Sequence, residues 1–178
     1  MKMFLHICCA PCLVYPLEVL LKNDHDITGY FFNHNIHPFT EYEKRLNTLK
    51  DYAQKKAFDV IYDESYNIKE FLRKIAYNED NRCHICYLMR LESTAILASE
   101  NGYDAFTTTM LYSKYQDHEM IKTIGKNLSK EYKVKFYYED FRSGWGRGIK
   151  LSKKYKIYRQ KYCGCIYSER DRYFLKSG

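Results

Sequence analysis

Glycine and proline are scarce, eight and three in 178 residues, and no Gly/Ser linker or low-complexity tract divides the chain. Nor does any segment repeat, so a solenoid or propeller is excluded. The longest apolar runs fall well short of the ~18 uncharged residues that a membrane-spanning helix needs. Mean hydropathy is −0.58, and a membrane is not among the expected partners. The first residues, MKMFLHICCAPCLVYPLEVLL, place Lys2 ahead of an apolar stretch as a signal peptide would. His6, Pro11, Pro16 and Glu18 interrupt it, and a small-x-small cleavage signature is missing. That stretch reads as a buried strand followed by a helix.

What the chain does have is a 46% hydrophobic composition, enough for one core-bearing domain over residues 1–178. It also has seven cysteines. An odd number cannot all pair within the chain, and without a secretory signal the thiols are expected as ligands or catalysts in a reducing, cytoplasmic setting. The charge is +7 overall and unevenly spread. Residues 142–178 hold eleven Lys and Arg against Glu169 and Asp171, interleaved with Tyr155, Tyr158, Tyr162, Tyr167 and Tyr173. Such a segment either neutralises phosphates while its rings stack on unpaired bases, or is a solvated basic helix.

Strand-like and helix-like segments alternate. Met3–Cys8, Ile27–Phe32, Asp59–Tyr62, Ala105–Thr109 and Val134–Tyr138 are strand-sized apolar runs. Between them fall Leu13–Lys22, entered through Pro11; a helix on Tyr42, Leu46, Leu49, Ala53 and Ala57, with Thr40 and Glu43 as a capping box; Ile68–Tyr77; Leu88–Asn101, closed by Gly102; and a helix on Ile121, Ile124, Leu128 and Tyr132. After Phe141 come Gly144, Gly146 and Gly148, then a basic helical stretch. The alternation predicts an α/β three-layer sandwich with a mainly parallel sheet, whose ligand site lies beyond the carboxyl ends of the strands.

The first cysteines stand at such an end. Cys8, Cys9 and Cys12 form a strand-to-helix turn, where a helix dipole favours thiolate. Cys8 and Cys9 can face one metal only if the chain turns there, and Pro11 favours a turn. Cys83 and Cys86 make a C-x-x-C just ahead of the Leu88–Asn101 helix. Cys163 and Cys165 make a C-x-C whose disulfide would be strained and oxidising, with Gly164 easing the backbone. Three readings compete. A zinc-stabilised nucleic-acid-binding module employs two C-x-x-C-like knuckles, and a thiol–disulfide oxidoreductase employs Cys9 and Cys12. An iron–sulfur enzyme uses all seven thiols, and is favoured for that reason.

Taken in order, HICCAPC, FFNHNIHPFTEYEKR, RCHICYLMRL, TTTMLYSKYQ and YRQKYCGCIYS resemble the QueH epoxyqueuosine reductases along nearly the whole chain. The resemblance implies a fold similar to the adenine-nucleotide alpha-hydrolase-like sandwiches. It implies reduction of the epoxide of epoxyqueuosine, at the wobble position of tRNA, to the alkene of queuosine. It also implies a [4Fe–4S] cluster beside an additional mononuclear iron, and no cobalamin. CCAPC stands where an S-G-G-x-D-S phosphate loop would be, so ATP use is not expected. By motif, Cys8, Cys9, Cys83 and Cys86 correspond to the cluster ligands. Cys163 and Cys165 correspond to a redox-active pair or ligands of the second iron, and Cys12 is a further metal-capable thiol without an assigned role. Candidate acids or orienters of the epoxide are His34, His37, His118 and Asp117. Asn33, His34, His37, Arg45, Arg82, Arg90 and Arg142 are candidates for holding the modified base or phosphates, the arginines having the alternative of pairing with surface acids. Reduction needs an electron donor, for which a ferredoxin or flavodoxin is a guess.

Overall fold

Five short, apolar, β-rich segments pair into one all-parallel sheet in the computed structural model, which describes residues 1–174. The strands are β1 (Lys2–His6), β2 (Asp26–Phe31), β3 (Val60–Tyr62), β4 (Ala105–Thr108) and β5 (Lys135–Phe136), in the order β3-β2-β1-β4-β5. Met3 to His6 of β1 and all of β4 are buried, the pattern of central strands covered on both faces. Parallel neighbours need crossovers, and the helices supply them: α1 (Ala10–Lys22), α2 (Phe39–Lys56), α3 (Ile68–Ile75), α4 (Arg82–Glu100) and α5 (His118–Glu131). Two more, α6 (Trp145–Lys154) and α7 (Ile166–Tyr173), follow the sheet. Helix α1 packs against α2 and α6, and α4 against α3 and α5, completing the expected three-layer sandwich. Among the described residues no helix is long and apolar enough to cross a membrane. The last part of the basic segment, residues 175–178, lies outside the described residues.

Several boundaries differ from the sequence expectation. The capping box does not form: α2 starts on Pro38, whose φ of −70° already suits a helix start, and no side chain caps it. Ala57 is not the last helical residue but a left-handed cap at φ 47°. Helix α1 starts three residues before Leu13, with Pro11 in its first turn. Helix α4 begins at Arg82 rather than Leu88, so the C-x-x-C is helical. Gly146 and Gly148 lie inside α6, not ahead of a helix. At Gly148 a Cβ would fall 2.2 Å from the Tyr112 hydroxyl oxygen, which explains a helix-weakening residue at that position. Trp145 anchors this corner by stacking on Tyr112 at 5.1 Å.

Gly144 leads into α6 against α1, where a Cβ would lie 2.0 Å from the Tyr15 ring. Replacing Gly144 by alanine is expected to cost about 2 kcal/mol through overpacking. That corresponds to a Tm fall of roughly 6 °C for a chain of this size, measurable by thermal melting. An unchanged Tm would show that Tyr15 moves aside freely.

Candidate metal and redox centre

The sheet order reverses between β1 and β4, so their carboxyl ends open a crevice. Side chains at those ends lock the chain as it leaves the ladder. The ring of buried His6 is hydrogen-bonded to Thr108 Oγ1 (2.9 Å) and to the Phe32 carbonyl (3.2 Å), joining β1 to both neighbours. Asn33 Nδ2 donates to the Ile7 carbonyl (2.8 Å), and the Cys8 amide donates to Thr109 Oγ1 (3.0 Å). The strand stops at His6, and Cys9 becomes the extended N-cap of α1. This is the turn that lets neighbouring sulfurs meet. Cys8 and Cys9 Sγ are 3.7 Å apart, and with Cys12 Sγ all three lie within 4.8 Å of one another, close enough to hold a metal ion. Hydrogen bonds from Cys12 and Cys9 hold the Cys8 thiol well below its ordinary range. Those bonds to Cys8 and Cys9 push Cys12 up, and burial pushes Cys9 up. Cys8 is therefore the most acidic thiol of the three.

Cys83 and Cys86 lie in the first two turns of α4, three residues apart and hence on one face, Cys83 exposed and Cys86 buried. Burial raises both thiols, Cys86 to about 12. Cys86 Sγ accepts from Arg90 Nη2 at 3.0 Å. Cys165 is the N-cap of α7 and packs into a small apolar cluster with Cys86, Phe71, Ile75 and Met89. Cys163 is exposed, and its sulfur accepts from Gln116 Nε2 at 3.1 Å. Two buried arginines join the groups electrostatically: Arg90 feels Cys86, Cys163 and Cys8, and Arg45 feels Cys9 and Cys163. Among the described residues only Cys8, Cys9 and Cys12 come close enough to share one metal ion; Cys83, Cys86, Cys163 and Cys165 lie outside that group.

Arg45 also fastens the C-x-C loop. Its Nε donates to Glu41 Oε1 (2.7 Å), Nη1 to the Cys163 carbonyl (2.7 Å) and Nη2 to the Tyr162 carbonyl (3.1 Å). The Tyr158 hydroxyl donates to the other Glu41 oxygen (2.6 Å), the Tyr162 hydroxyl to the His37 carbonyl, and the His37 amide to the Gly164 carbonyl (2.7 Å). A Cβ on Gly164 would lie 3.2 Å from Ile36 Cγ1 and 3.4 Å from Arg45 Nη1, so glycine is what lets the loop approach this closely. The loop therefore docks on α2 and on the segment ending in the cis His37–Pro38 peptide.

The other sequence candidates are distributed around this centre. His34 Nε2 lies 3.3 Å from Asp63 and 3.1 Å from Ser65 Oγ. Among the described residues neither ring nitrogen of buried His37 has a partner at hydrogen-bond geometry, and burial lowers its pKa against a weaker pull from the Asn35 backbone. Asp117 caps α5 by accepting from the Met120 amide (2.9 Å). His118 is buried with Nε2 on the Ser113 carbonyl (3.2 Å) and Nδ1 4.0 Å from Asp140. Arg82 pairs with Asp171 (2.9 Å) and Arg142 pairs with Asp140. Sequence reasoning overlooked Glu41, Thr109, Gln116 and Gln160. Thr109 Oγ1 donates to Cys8 Sγ (3.4 Å), and Gln160 Nε2 donates to Cys9 Sγ (2.9 Å). Both glutamines lie within motifs quoted above, but no spacing rule marks an amide as a sulfur's partner.

The closest group is all sulfur and could hold a metal ion, and amide and hydroxyl donors point at its thiols. Residues 3–171 match the family model described as epoxyqueuosine reductase QueH. An epoxyqueuosine reductase QueH of Dehalococcoides mccartyi is 36% identical over 172 residues, covering 97% of this chain and 94% of that protein. The protein of the same name from Thermotoga maritima is 36% identical over 178 residues, covering 94% and 90%. That from Streptococcus pyogenes is 34% identical over 179 residues, covering 94% and 70%.

Proposed function

The chain belongs to the epoxyqueuosine reductase QueH family, and on that premise we propose that it reduces epoxyqueuosine in tRNA to queuosine in the cytoplasm. The observation that supports this reading is the Cys8, Cys9 and Cys12 triad at the carboxyl edge of the sheet, its sulfurs within 4.8 Å of one another. Cys8, Cys9, Cys83 and Cys86 are the proposed ligands of a [4Fe–4S] cluster, which when bound supplies single electrons. A second iron, if held, draws on the remaining thiols, Cys12 among them.

Converting the epoxide to an alkene and water consumes two electrons and two protons. Oxidation of the Cys163 and Cys165 thiols to a disulfide releases that number of each. Arg45 and Gly164 hold the C-x-C backbone in place for that step. The His37 imidazole, beside this loop and without a partner at hydrogen-bond geometry among the described residues, is the proposed proton carrier. An external donor of the ferredoxin or flavodoxin class would then restore the dithiol. The basic segment from Arg142 onward is the proposed tRNA-facing surface. Within it Tyr158 and Tyr162 anchor the chain to the body of the protein, leaving the lysines and Arg159 for phosphates.

The test is anaerobic reconstitution with iron and sulfide, followed by incubation with a reductant and tRNA bearing epoxyqueuosine. Queuosine should appear by mass spectrometry of the nucleosides. Affinity for the tRNA should fall by at least about tenfold between 50 and 200 mM salt if several phosphates are contacted. A colourless protein that holds only zinc and leaves the epoxide intact would sink the proposal.

A further inference from the structure

Arg90 is the unusual charge in this molecule. It is 4% exposed, on the third turn of α4. Arg45, Arg82, Arg142, Arg147 and Arg170 each pair with a carboxylate, whereas among the described residues no carboxylate lies within ion-pair distance of Arg90. A buried guanidinium without a counter-anion is strongly unfavourable, so something else must answer its charge. Its hydrogen bonds name the partner: Nε donates to the Cys86 carbonyl (3.1 Å) and Nη2 to Cys86 Sγ (3.0 Å).

Arg90 is therefore a buried cation hydrogen-bonded to one of the sulfurs assigned above to the cluster. It also lines a small cleft with His34, Asn35, Phe71, Met89 and Cys86, where water has little access to screen it.

We infer that Arg90 is a positioning residue for electron transfer, supplying the fixed counter-charge of the thiolate-bound iron centre and thereby raising its reduction potential. The inference rests on the proposed function and extends it. Net charge and hydrogen bonds to the sulfurs are principal determinants of an iron–sulfur centre's potential. A permanent positive charge close to the ligating sulfurs stabilises the reduced, more negative form. A residue serving only to pack α4 would leave the potential alone.

The experiment is a redox titration, followed by electron paramagnetic resonance, of the reconstituted parent, Arg90→Gln and Arg90→Lys. All are first matched for iron and sulfide content. Arg90→Gln is expected to load iron and to titrate at a more negative potential than the parent, with Arg90→Lys between them. Equal potentials at equal loading overturn the inference while leaving the proposed function standing. A parent that binds no iron overturns the proposed function itself, and the inference with it. Should Arg90→Gln fail to retain iron, Arg90→Lys decides. Retention at or just below the parent's potential supports the counter-charge, and failure of the lysine variant too overturns it, because charge alone then does not suffice.

Discussion

Replacement of Cys9 by serine is expected to strip the protein of iron and abolish turnover while leaving the fold intact. Cys9 is fully buried at the N-cap of α1, its sulfur 3.7 Å from Cys8 Sγ and 2.9 Å from Gln160 Nε2. Serine occupies nearly the same space, is well suited to an N-cap, and still accepts a hydrogen bond from Gln160. What it lacks is a soft, polarisable donor for iron. Loss of an outer-shell partner already lowers metal affinity or activity about 10- to 100-fold, so loss of a direct ligand should exceed about a hundredfold. Iron content, visible absorbance and turnover should fall together, with the melting temperature of the metal-free variant matching that of metal-free parent. A serine variant that keeps its iron and its rate removes Cys9 from the ligand set.

The second large effect is expected at Arg45, and it falls on stability as well as activity. Arg45→Met leaves the Glu41 carboxylate buried without its cation, and leaves the Cys163 and Tyr162 carbonyls without their donor. Breaking one side of a buried ion pair costs about 3 kcal/mol or more, equivalent to a Tm fall of roughly 10 °C. The double variant Glu41→Gln with Arg45→Met removes both charges. It should regain part of the lost stability but none of the activity, because the C-x-C loop is still untethered. Melting curves and turnover of the two variants separate these effects. A single variant melting within about 2 °C of the parent would show that the latch contributes little.

The two arginines make different use of similar burial. Arg45 neutralises Glu41 and gives its remaining donors to backbone carbonyls, so its charge is largely answered locally. Among the described residues Arg90 has no such acid, and it turns to sulfur. In the sequence both are arginines within helical motifs, and both were grouped as contacts for the modified base or phosphates. Both partners stand four residues earlier on the same helix, Glu41 for Arg45 and Cys86 for Arg90, but spacing alone does not show that Arg45 also reaches the carbonyls of the distant C-x-C loop.

The sandwich was legible because its signals are local. Apolar runs of strand length alternate with helical spacing, and Gly102, at φ 65°, marks the end of α4 where a left-handed residue is needed. The cysteine clusters were legible because ligand residues recur at short intervals. Less legible were the ends of elements. Pro38 is the N-cap of α2 in place of Thr40, and α4 reaches back to Arg82, so that Cys83 and Cys86 are helical.

By itself the sequence determined the layer architecture and the thiol inventory, since backbone periodicity and side-chain chemistry are properties of residues close together in the chain. Only the tertiary structure decided which amides and hydroxyls from distant segments attend the thiols and which loop Arg45 fastens. Those relations join positions more than a hundred residues apart, such as Gln160 with Cys9 and Arg45 with Cys163. They exist because the reversal of sheet order between β1 and β4 opens a crevice at one edge, where the first turn, α4 and the returning C-terminal segment are packed together.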